Sequence, residues 1–220
     1  MASFTEENYL KAIYHIFENN QQKPVSTNAL SEVTLTKAAS VTDMLKKLSE
    51  KELIHYIKYQ GVTLTDKGKN LALSTIRKHR LWEVFLVNKL GFKWDEIHEI
   101  AEELEHIPSL ELINRLDAFL EFPKFDPHGE PIPNSQGVFP VQETIMLSNG
   151  NLNIKYRLLN VSEDSASFLQ HLDKLQIKLG VDLEIVAVNA YDASMEIKVN
   201  SHQTVFLSAE VSKNLLVNRG

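Results

Sequence analysis

Three histidines and three glutamates stand at helical spacing in two neighbouring stretches of the chain. They are His79 and Glu83 in the first stretch and His98, Glu102, Glu105 and His106 in the second. At about 100° of rotation per residue, the members of each stretch fall on one side of a helix. Imidazole nitrogens and carboxylate oxygens are ligands for Mn²⁺, Fe²⁺ and Zn²⁺, so these residues predict a divalent metal site.

The two stretches differ in what surrounds them. His79 and Glu83 lie within a helix predicted over 76–90 that is apolar on almost every side, where a carboxylate needs a neutralising partner. The second helix, predicted over 95–107, has one apolar face and one polar face, and such polar faces are usually only solvated. An internal salt bridge between His79 and Glu83 is the alternative to a metal.

Composition restricts the class of protein. The chain has 220 residues, of which 43% are hydrophobic, and no cysteine, so disulfides and thiolate ligands are excluded. No apolar run approaches the length that spans a membrane. The segment 1–10 does not combine a basic stretch with an apolar core, so we expect a cytoplasmic protein without a membrane partner.

Charge is unevenly distributed along the chain. The net charge is −6, but residues 1–80 carry 12 basic against 8 acidic side chains, whereas residues 81–140 carry 4 against 12. A mildly basic segment followed by an acidic one is what a DNA-binding module joined to a cation-binding module would contain.

The first third of the chain predicts a winged helix-turn-helix. A helix over 5–18 starts with Ser3 and Glu6 at capping-box spacing, and Ser26 caps a short helix that ends at Val33. After a tight turn at 34–37, a helix over 38–51 has apolar residues at i, i+3, i+4 and i+7. Two β-prone runs, 53–57 and 62–65, then form a hairpin with the proportions of a wing.

The outward residues of the second helix of this motif suit a DNA major groove. Ser40, Thr42 and Asp43 can bond base edges, and lysines on the helix and the wing can neutralise phosphates. The full predicted DNA-binding set is Lys37, Ala39, Ser40, Thr42, Asp43, Lys46, Lys47 and Lys58. The alternative is an ordinary three-helix core with a solvated face.

A proline-rich stretch marks a domain boundary. Five of the seven prolines fall within 122–140, where regular structure stops. Beyond it, short alternating strands predict a compact barrel. We therefore expect domains at 1–73, 74–140 and 141–220. The sequence contains no nucleotide-binding glycine motif, nucleophile elbow, HExxH or CxxC motif, so no enzyme class is indicated.

Several segments in this order resemble the iron- and manganese-dependent repressor family. They are Arg77-Lys78-His79-Arg80-Leu81 with Glu83, Ile97-His98 through Glu105-His106, the linker Pro127-His128-Gly129-Glu130-Pro131-Ile132-Pro133, Ala39-Ser40-Val41-Thr42 and Leu64-Thr65-Asp66-Lys67-Gly68. The resemblance implies an α+β multidomain fold: an N-terminal winged helix-turn-helix, a helical dimerisation and metal-binding domain, and a C-terminal SH3-like β-barrel.

The resemblance also implies two metal sites. Glu102, Glu105 and His106 match the family's regulatory site, and His79, Glu83 and His98 match an adjacent one, to which Glu163 or Asp164 of the C-terminal domain can contribute. Asn8 stands in the position of a methionine or aspartate ligand and can still offer its amide oxygen to the metal. Lys11 replaces a glutamate that binds manganese in some members, and a charged lysine cannot ligate.

The leading hypothesis is a metal-activated transcriptional repressor. Mn²⁺ or Fe²⁺, for which Zn²⁺ or another divalent ion can substitute, would fix a homodimer in the form that binds a palindromic double-stranded DNA operator. Metal-uptake genes are the targets that the resemblance implies. A carboxylate and histidine metalloenzyme and a metal-independent DNA-binding regulator are the alternatives, although Glu103 and His106 form only one of the two ExxH motifs of a bundle-type di-iron site.

Overall fold

The computed structural model describes residues 2–57 and 60–219. Its α-helices are α1 Phe4–Asn19, α2 Thr27–Val33, α3 Ala38–Glu50, α4 Asp66–Leu90, α5 His98–Leu104, α6 Leu110–Phe119, α7 Ala166–Lys174 and α8 Ala209–Lys213. Its strands are β1 Ile54–Ile57, β2 Gly61–Leu64, β3 Ile145–Met146, β4 Lys155–Val161, β5 Asp182–Val188, β6 Met195–Val199, β7 Gln203–Leu207 and β8 Leu215–Arg219. Within the described ranges, no helix is long and apolar enough to cross a lipid bilayer.

The chain divides into two compact units. The first unit comprises Met1–His79, Glu103–Asn114 and Pro133–Val138, and the second comprises Arg80–Glu102, Arg115–Ile132 and Phe139–Gly220.

The first unit contains the predicted winged helix. The capping box at α1 is confirmed, with the Ser3 hydroxyl accepting from the Glu6 amide and the Glu6 carboxylate accepting from the Ser3 amide. Ser26 caps α2, and α3 buries Val41, Leu45 and Leu48. Strands β1 and β2 pair antiparallel as the wing. Local capping and apolar spacing therefore decide this part of the fold.

Two helices differ in length from the prediction. Helix α4 starts at Asp66 rather than Ile76, because the Thr65 hydroxyl accepts from the Gly68 amide and satisfies one of its free N–H groups. Helix α5 runs from His98 to Leu104 rather than over 95–107, and Pro108 disfavours a helical conformation at Ile107. Glu105 and His106 consequently lie in a turn after α5.

The proline-rich linker lies against β4 in the second unit. The Asn160 side-chain amide donates to the Gly129 carbonyl at 3.0 Å, and the Val161 amide donates to the His128 carbonyl at the same distance. Gly129 has a φ of +88°, and a Cβ there would lie 2.0 Å from the Leu159 carbonyl oxygen. Only glycine fits this close approach.

The C-terminal part of the second unit is an antiparallel β domain. Among the described residues, six strands pair in the order β3-β8-β4-β5-β6-β7. Their inner faces and α7 bury one apolar core that includes Tyr156, Leu158, Leu172 and Ile197. This strand arrangement is consistent with the predicted SH3-like domain, but no pairing between β3 and β7 closes it into a barrel within the described ranges. The sequence prediction contained no element for α6, α8 or β8.

Candidate metal centres

The first unit brings together two carboxylates, two imidazoles and two ammonium groups, which we call the first cluster. Its members are Glu7 and Lys11 on α1, Lys78 and His79 on α4, and Glu105 and His106 in the turn after α5. Glu105 is completely buried, and both imidazoles are buried as well. The turn that ends α5 is therefore what directs Glu105 and His106 to α1 and α4.

Each imidazole of the first cluster is oriented by a carboxylate. His79 Nδ1 lies 2.7 Å from Glu105 Oε2, and His106 Nδ1 lies 2.7 Å from Glu7 Oε2. Because a carboxylate only accepts, each Nδ1 carries the proton, which leaves the lone pair of a neutral ring on Nε2. An imidazole held in this way by a carboxylate is the arrangement found around metal-ligating histidines.

The ammonium groups neutralise the same carboxylates. Lys11 Nζ lies 2.8 and 2.7 Å from the two oxygens of Glu105, and Lys78 Nζ lies 3.7 Å from Glu7 Oε2. Burial alone would raise the pKa of Glu105, but the hydrogen bond with His79 and the charge of Lys11 hold it below its ordinary value. The donor set fits a divalent ion, while the lysines already supply positive charge.

The second unit contains another group of acidic and imidazole side chains, the second cluster. It consists of Glu83 on α4, His98 on α5, Asp126 and His128 in the linker, and Asp164 just before α7. Glu83, Asp126 and His128 are buried, and each offers one ligand atom within 4.8 Å of the other two. Oxygen and imidazole ligands at this separation fit a divalent cation such as Mn²⁺ or Fe²⁺.

Two details of the second cluster favour a cation there. His128 Nε2 donates to the Trp94 carbonyl at 2.8 Å, so in the neutral ring the lone pair is on Nδ1, 3.6 Å from Glu83 Oε1. Asp126 Oδ2 is buried and has no hydrogen-bond partner among the described residues, although Arg80 Nε lies 3.6 Å away. Burial and the nearby charges of Glu83 and Glu130 raise the pKa of Asp126. A bound cation would give both His128 Nδ1 and Asp126 Oδ2 a partner.

His98 joins the carboxylates at the exposed side of the second cluster. Its Nδ1 lies 3.2 Å from Asp164 Oδ2 and 4.0 Å from Glu83 Oε1, and its Nε2 lies 3.7 Å from Glu102 Oε1. The hydrogen bond with His98 lowers the pKa of Asp164 to about 2 against the effect of burial. Glu163 instead accepts from the Ser165 amide next to α7.

Arg80 and Trp94 hold the linker in place. Arg80 donates to the Glu130 carboxylate at 2.6 and 3.1 Å and to the Pro131 carbonyl at 2.5 Å. Trp94 stacks on His128, and its indole nitrogen donates to Asp173 of α7 at 3.2 Å. These contacts direct Asp126 and His128 toward Glu83.

The sequence did not single out Glu7, Asp126 or His128 as candidate ligands. Asn8 was the predicted ligand on α1, but it is exposed, and its neighbour Glu7 contacts His106. The available signal was the linker segment Pro127–Pro133, which resembles the family, contains His128 and directly follows Asp126.

The predicted DNA-binding residues lie at the start of α3 and along its outer side. Lys37 is the N-cap residue of α3, Thr42 is half-buried, and the other residues of the set on this helix are exposed; they are Ala39, Ser40, Asp43, Lys46 and Lys47. Lys46 pairs with Asp43 at 3.0 Å, so two predicted DNA contacts bond each other in the free protein. Lys58 lies outside the described residues.

A buried glutamate joins α1 to α3. Lys51 Nζ lies 2.7 and 2.8 Å from the two oxygens of Glu6, and Lys47 Nζ lies 3.1 Å from one of them. Burial alone would raise the pKa of Glu6, but hydrogen bonds from Lys51, the Ser3 amide and Lys47 lower it from 4.5 to about 2. The first turn of α1 thus contacts α3 through Glu6 and the first cluster through Glu7.

Family profiles match two successive segments of the chain. Residues 1–62 match the profile described as the N-terminal DNA-binding domain of iron-dependent repressors. Residues 65–134 match the profile described as the metal-binding and dimerisation domain of the same repressors.

Individual proteins show the same similarity. The chain is 37% identical over 115 residues to an uncharacterised HTH-type transcriptional regulator of Methanocaldococcus jannaschii, covering 52% of this chain and 91% of the relative. It is 33% identical over 129 residues to the iron-dependent repressor IdeR of Mycobacterium tuberculosis, covering 59% of this chain but only 55% of IdeR. A solved manganese-dependent transcriptional repressor in complex with manganese superposes with a TM-score of 0.86 at 33% identity, covering 98% of this chain and 100% of that one.

Proposed function

The chain belongs to the iron-dependent repressor family, and from that premise we propose that it represses transcription by binding DNA when a divalent cation is bound. Mn²⁺ and Fe²⁺ are the proposed physiological cations, and Zn²⁺ or another divalent ion is expected to substitute. IdeR is named an iron-dependent repressor, and the solved neighbour with manganese is named a manganese-dependent one. The metalloenzyme alternative is not retained, since this family consists of DNA-binding regulators.

The proposed ligands follow the two clusters. In the first cluster they are Glu7, His79, Glu105 and His106, and in the second they are Glu83, His98, Asp126, His128 and Asp164. Glu102 contributes at the exposed side of the second cluster through its contact with His98. A divalent ion, when bound, supplies the positive charge that allows several carboxylates to stay ionised in one place.

One observation carries the proposed link between metal and DNA: adjacent residues of α1 have separate partners in the first unit. Glu7 contacts His106 of the first cluster, and Glu6 contacts Lys47 and Lys51 at the end of α3. A change in how Glu7 is held therefore changes the first turn of α1, which also holds α3. The coupling requires that the cation bind the DNA-competent arrangement more tightly than the other.

The proposal also covers the oligomeric state, the operator, the domain bounds, the target genes and the compartment. We propose a homodimer that places two α3 helices on a palindromic operator, since a two-fold protein matches a two-fold DNA site. Domains at 1–73, 74–140 and 141–220, metal-uptake genes as targets and action in the cytoplasm belong to the same proposal.

Selection of DNA from a random duplex library tests this function and identifies the operator in the same experiment. The full chain with Mn²⁺ should enrich a palindromic sequence, and fluorescence anisotropy with that duplex should show tight binding that a chelator abolishes. Equal affinity with Mn²⁺ and with chelator would instead make the protein a metal-independent regulator.

A further inference from the structure

The Lys11 ammonium binds the carboxylate of Glu105, which a metal at the first cluster would need as a ligand. Its ammonium contacts both oxygens of Glu105, and His79 bonds one of the same oxygens. Glu105 is completely buried and the Lys11 side chain is only 15% exposed, so the pair is largely withdrawn from water. An ion pair this close and this buried holds each partner strongly, because removal of one leaves the other charged and unpaired.

A divalent cation and the Lys11 ammonium cannot share Glu105 in the present arrangement. An ammonium has three donors and no lone pair, so it can never act as a ligand. Two positive charges on one buried carboxylate also repel each other. The Lys11 side chain is 15% exposed and has four rotatable bonds, so we expect its ammonium to leave Glu105 by rotating toward solvent.

Resting on the proposed function, we propose that Lys11 is a competing internal cation that sets the metal affinity of the first cluster. In the metal-free protein, Lys11 neutralises Glu105. Binding of Mn²⁺ at Glu105 requires the ammonium to move into solvent, so part of the binding free energy is spent on breaking the ion pair. The first cluster therefore binds Mn²⁺ only at a higher metal concentration than the same ligands would need without Lys11.

Isothermal titration of the full chain with MnCl₂ tests this role. Lys11→Met removes the charge and leaves an unbranched side chain one atom shorter, whose soft thioether is a poor ligand for Mn²⁺. It should bind Mn²⁺ at the first cluster at least about tenfold more tightly, equivalent to about 1.4 kcal/mol. The step that Glu105→Gln removes from the wild-type titration identifies this cluster. Lys213→Met makes the same change at a half-exposed lysine of the second unit and should leave both steps unchanged.

Metal-free stability gives a second readout. Metal-free Lys11→Met should melt at a lower temperature than wild type, because Glu105 loses a cation, and Mn²⁺ should raise its melting temperature by more than it raises that of wild type. An unchanged or weaker Mn²⁺ affinity in folded Lys11→Met, with wild type still binding Mn²⁺, overturns this proposal alone. Absence of Mn²⁺ uptake by wild type and variant overturns the proposed function as well.

A measurement on the wild-type protein covers the case in which Lys11→Met does not fold. Acetylation of lysines, quantified for each residue by mass spectrometry, reports how accessible each amine is. Lys11 should be acetylated faster once Mn²⁺ is added, while Lys213 should react at an unchanged rate. Equal labelling of Lys11 with and without bound Mn²⁺ would overturn the proposal.

Discussion

The two clusters use similar ligands but neutralise their carboxylates differently. In the first, the ammonium groups of Lys11 and Lys78 lie on Glu105 and Glu7. In the second, imidazoles face Glu83, and one oxygen of Asp126 has no hydrogen-bond partner among the described residues, although Arg80 Nε lies 3.6 Å from it. A neutral imidazole offers a lone pair and an ammonium does not, so Glu83 can share a cation with its imidazole partners, whereas Glu105 must exchange the Lys11 ammonium for one. Similar ligand sets therefore do not imply similar affinities for a metal.

Glu105→Gln should have the largest effect, because it removes the carboxylate that the two cations compete for. In strongly coupled systems an effector raises the affinity for a second ligand by up to about 150-fold. We expect Mn²⁺ to give no such gain in the DNA affinity of this variant, so the ratio of affinities with and without Mn²⁺ should be about 1. Anisotropy with the selected duplex measures it, and circular dichroism checks that the variant is folded. A variant that Mn²⁺ still activates would show that the first cluster does not transmit the signal.

Asp126→Asn should weaken only the second cluster. The asparagine oxygen can still accept from the His128 and Glu130 amides, so the linker should keep its conformation. Loss of an anionic ligand should lower Mn²⁺ affinity by at least about 100-fold, the upper end of what loss of an outer-shell partner produces. Titration calorimetry should show one weakened step beside an unchanged one. If both steps weaken together, the clusters are not separate sites.

Glu6→Gln tests a carboxylate that lies outside both clusters and is neutralised by ammonium groups, as Glu105 is. Its pKa is lowered from 4.5 to about 2, so its contribution to the free energy of unfolding is present above pH 4.5 and is lost as the pH falls toward 2. Because both lysines are about half exposed, we expect a loss of only about 2 kcal/mol at neutral pH. Urea unfolding at several pH values measures it, and wild type and variant should converge near pH 2. A difference that stays constant with pH would contradict this assignment.

Lys46→Ala should give the smallest effect, confined to DNA binding. Lys46 forms a surface ion pair with exposed Asp43, and such pairs contribute little, so metal binding and stability should change little. If Lys46 contacts a phosphate, the slope of log K against log salt concentration should fall by about 1. An unchanged slope would remove Lys46 from the DNA-binding surface, and Lys213→Ala is the matched control.

Local features of the sequence predicted most of the fold. The Ser3 and Glu6 capping box, the Ser26 cap and the apolar spacing of α3 act within a few residues, so their helices could be placed without tertiary information. The early end of α5 was missed because polar residues at helical spacing continue past Leu104 to Glu105 and His106, which lie in a turn.

The ligands and the ion pairs that the sequence missed depend on contacts between distant residues. Asp126 and His128 approach Glu83 because Arg80 and Trp94 bond the linker, and nothing in the linker alone indicates this path. The capping-box spacing of Glu6 predicts only its bonds with Ser3, yet Lys51, 45 residues later, also bonds its carboxylate. Both cases depend on tertiary packing rather than on spacing.

The coupling between metal and DNA is tested most directly by its reciprocity. Calorimetry of Mn²⁺ binding to the full chain, with and without saturating selected duplex, should show that DNA tightens Mn²⁺ binding by the same factor by which Mn²⁺ tightens DNA binding. Mn²⁺ isotherms that are identical with and without the duplex would contradict the account.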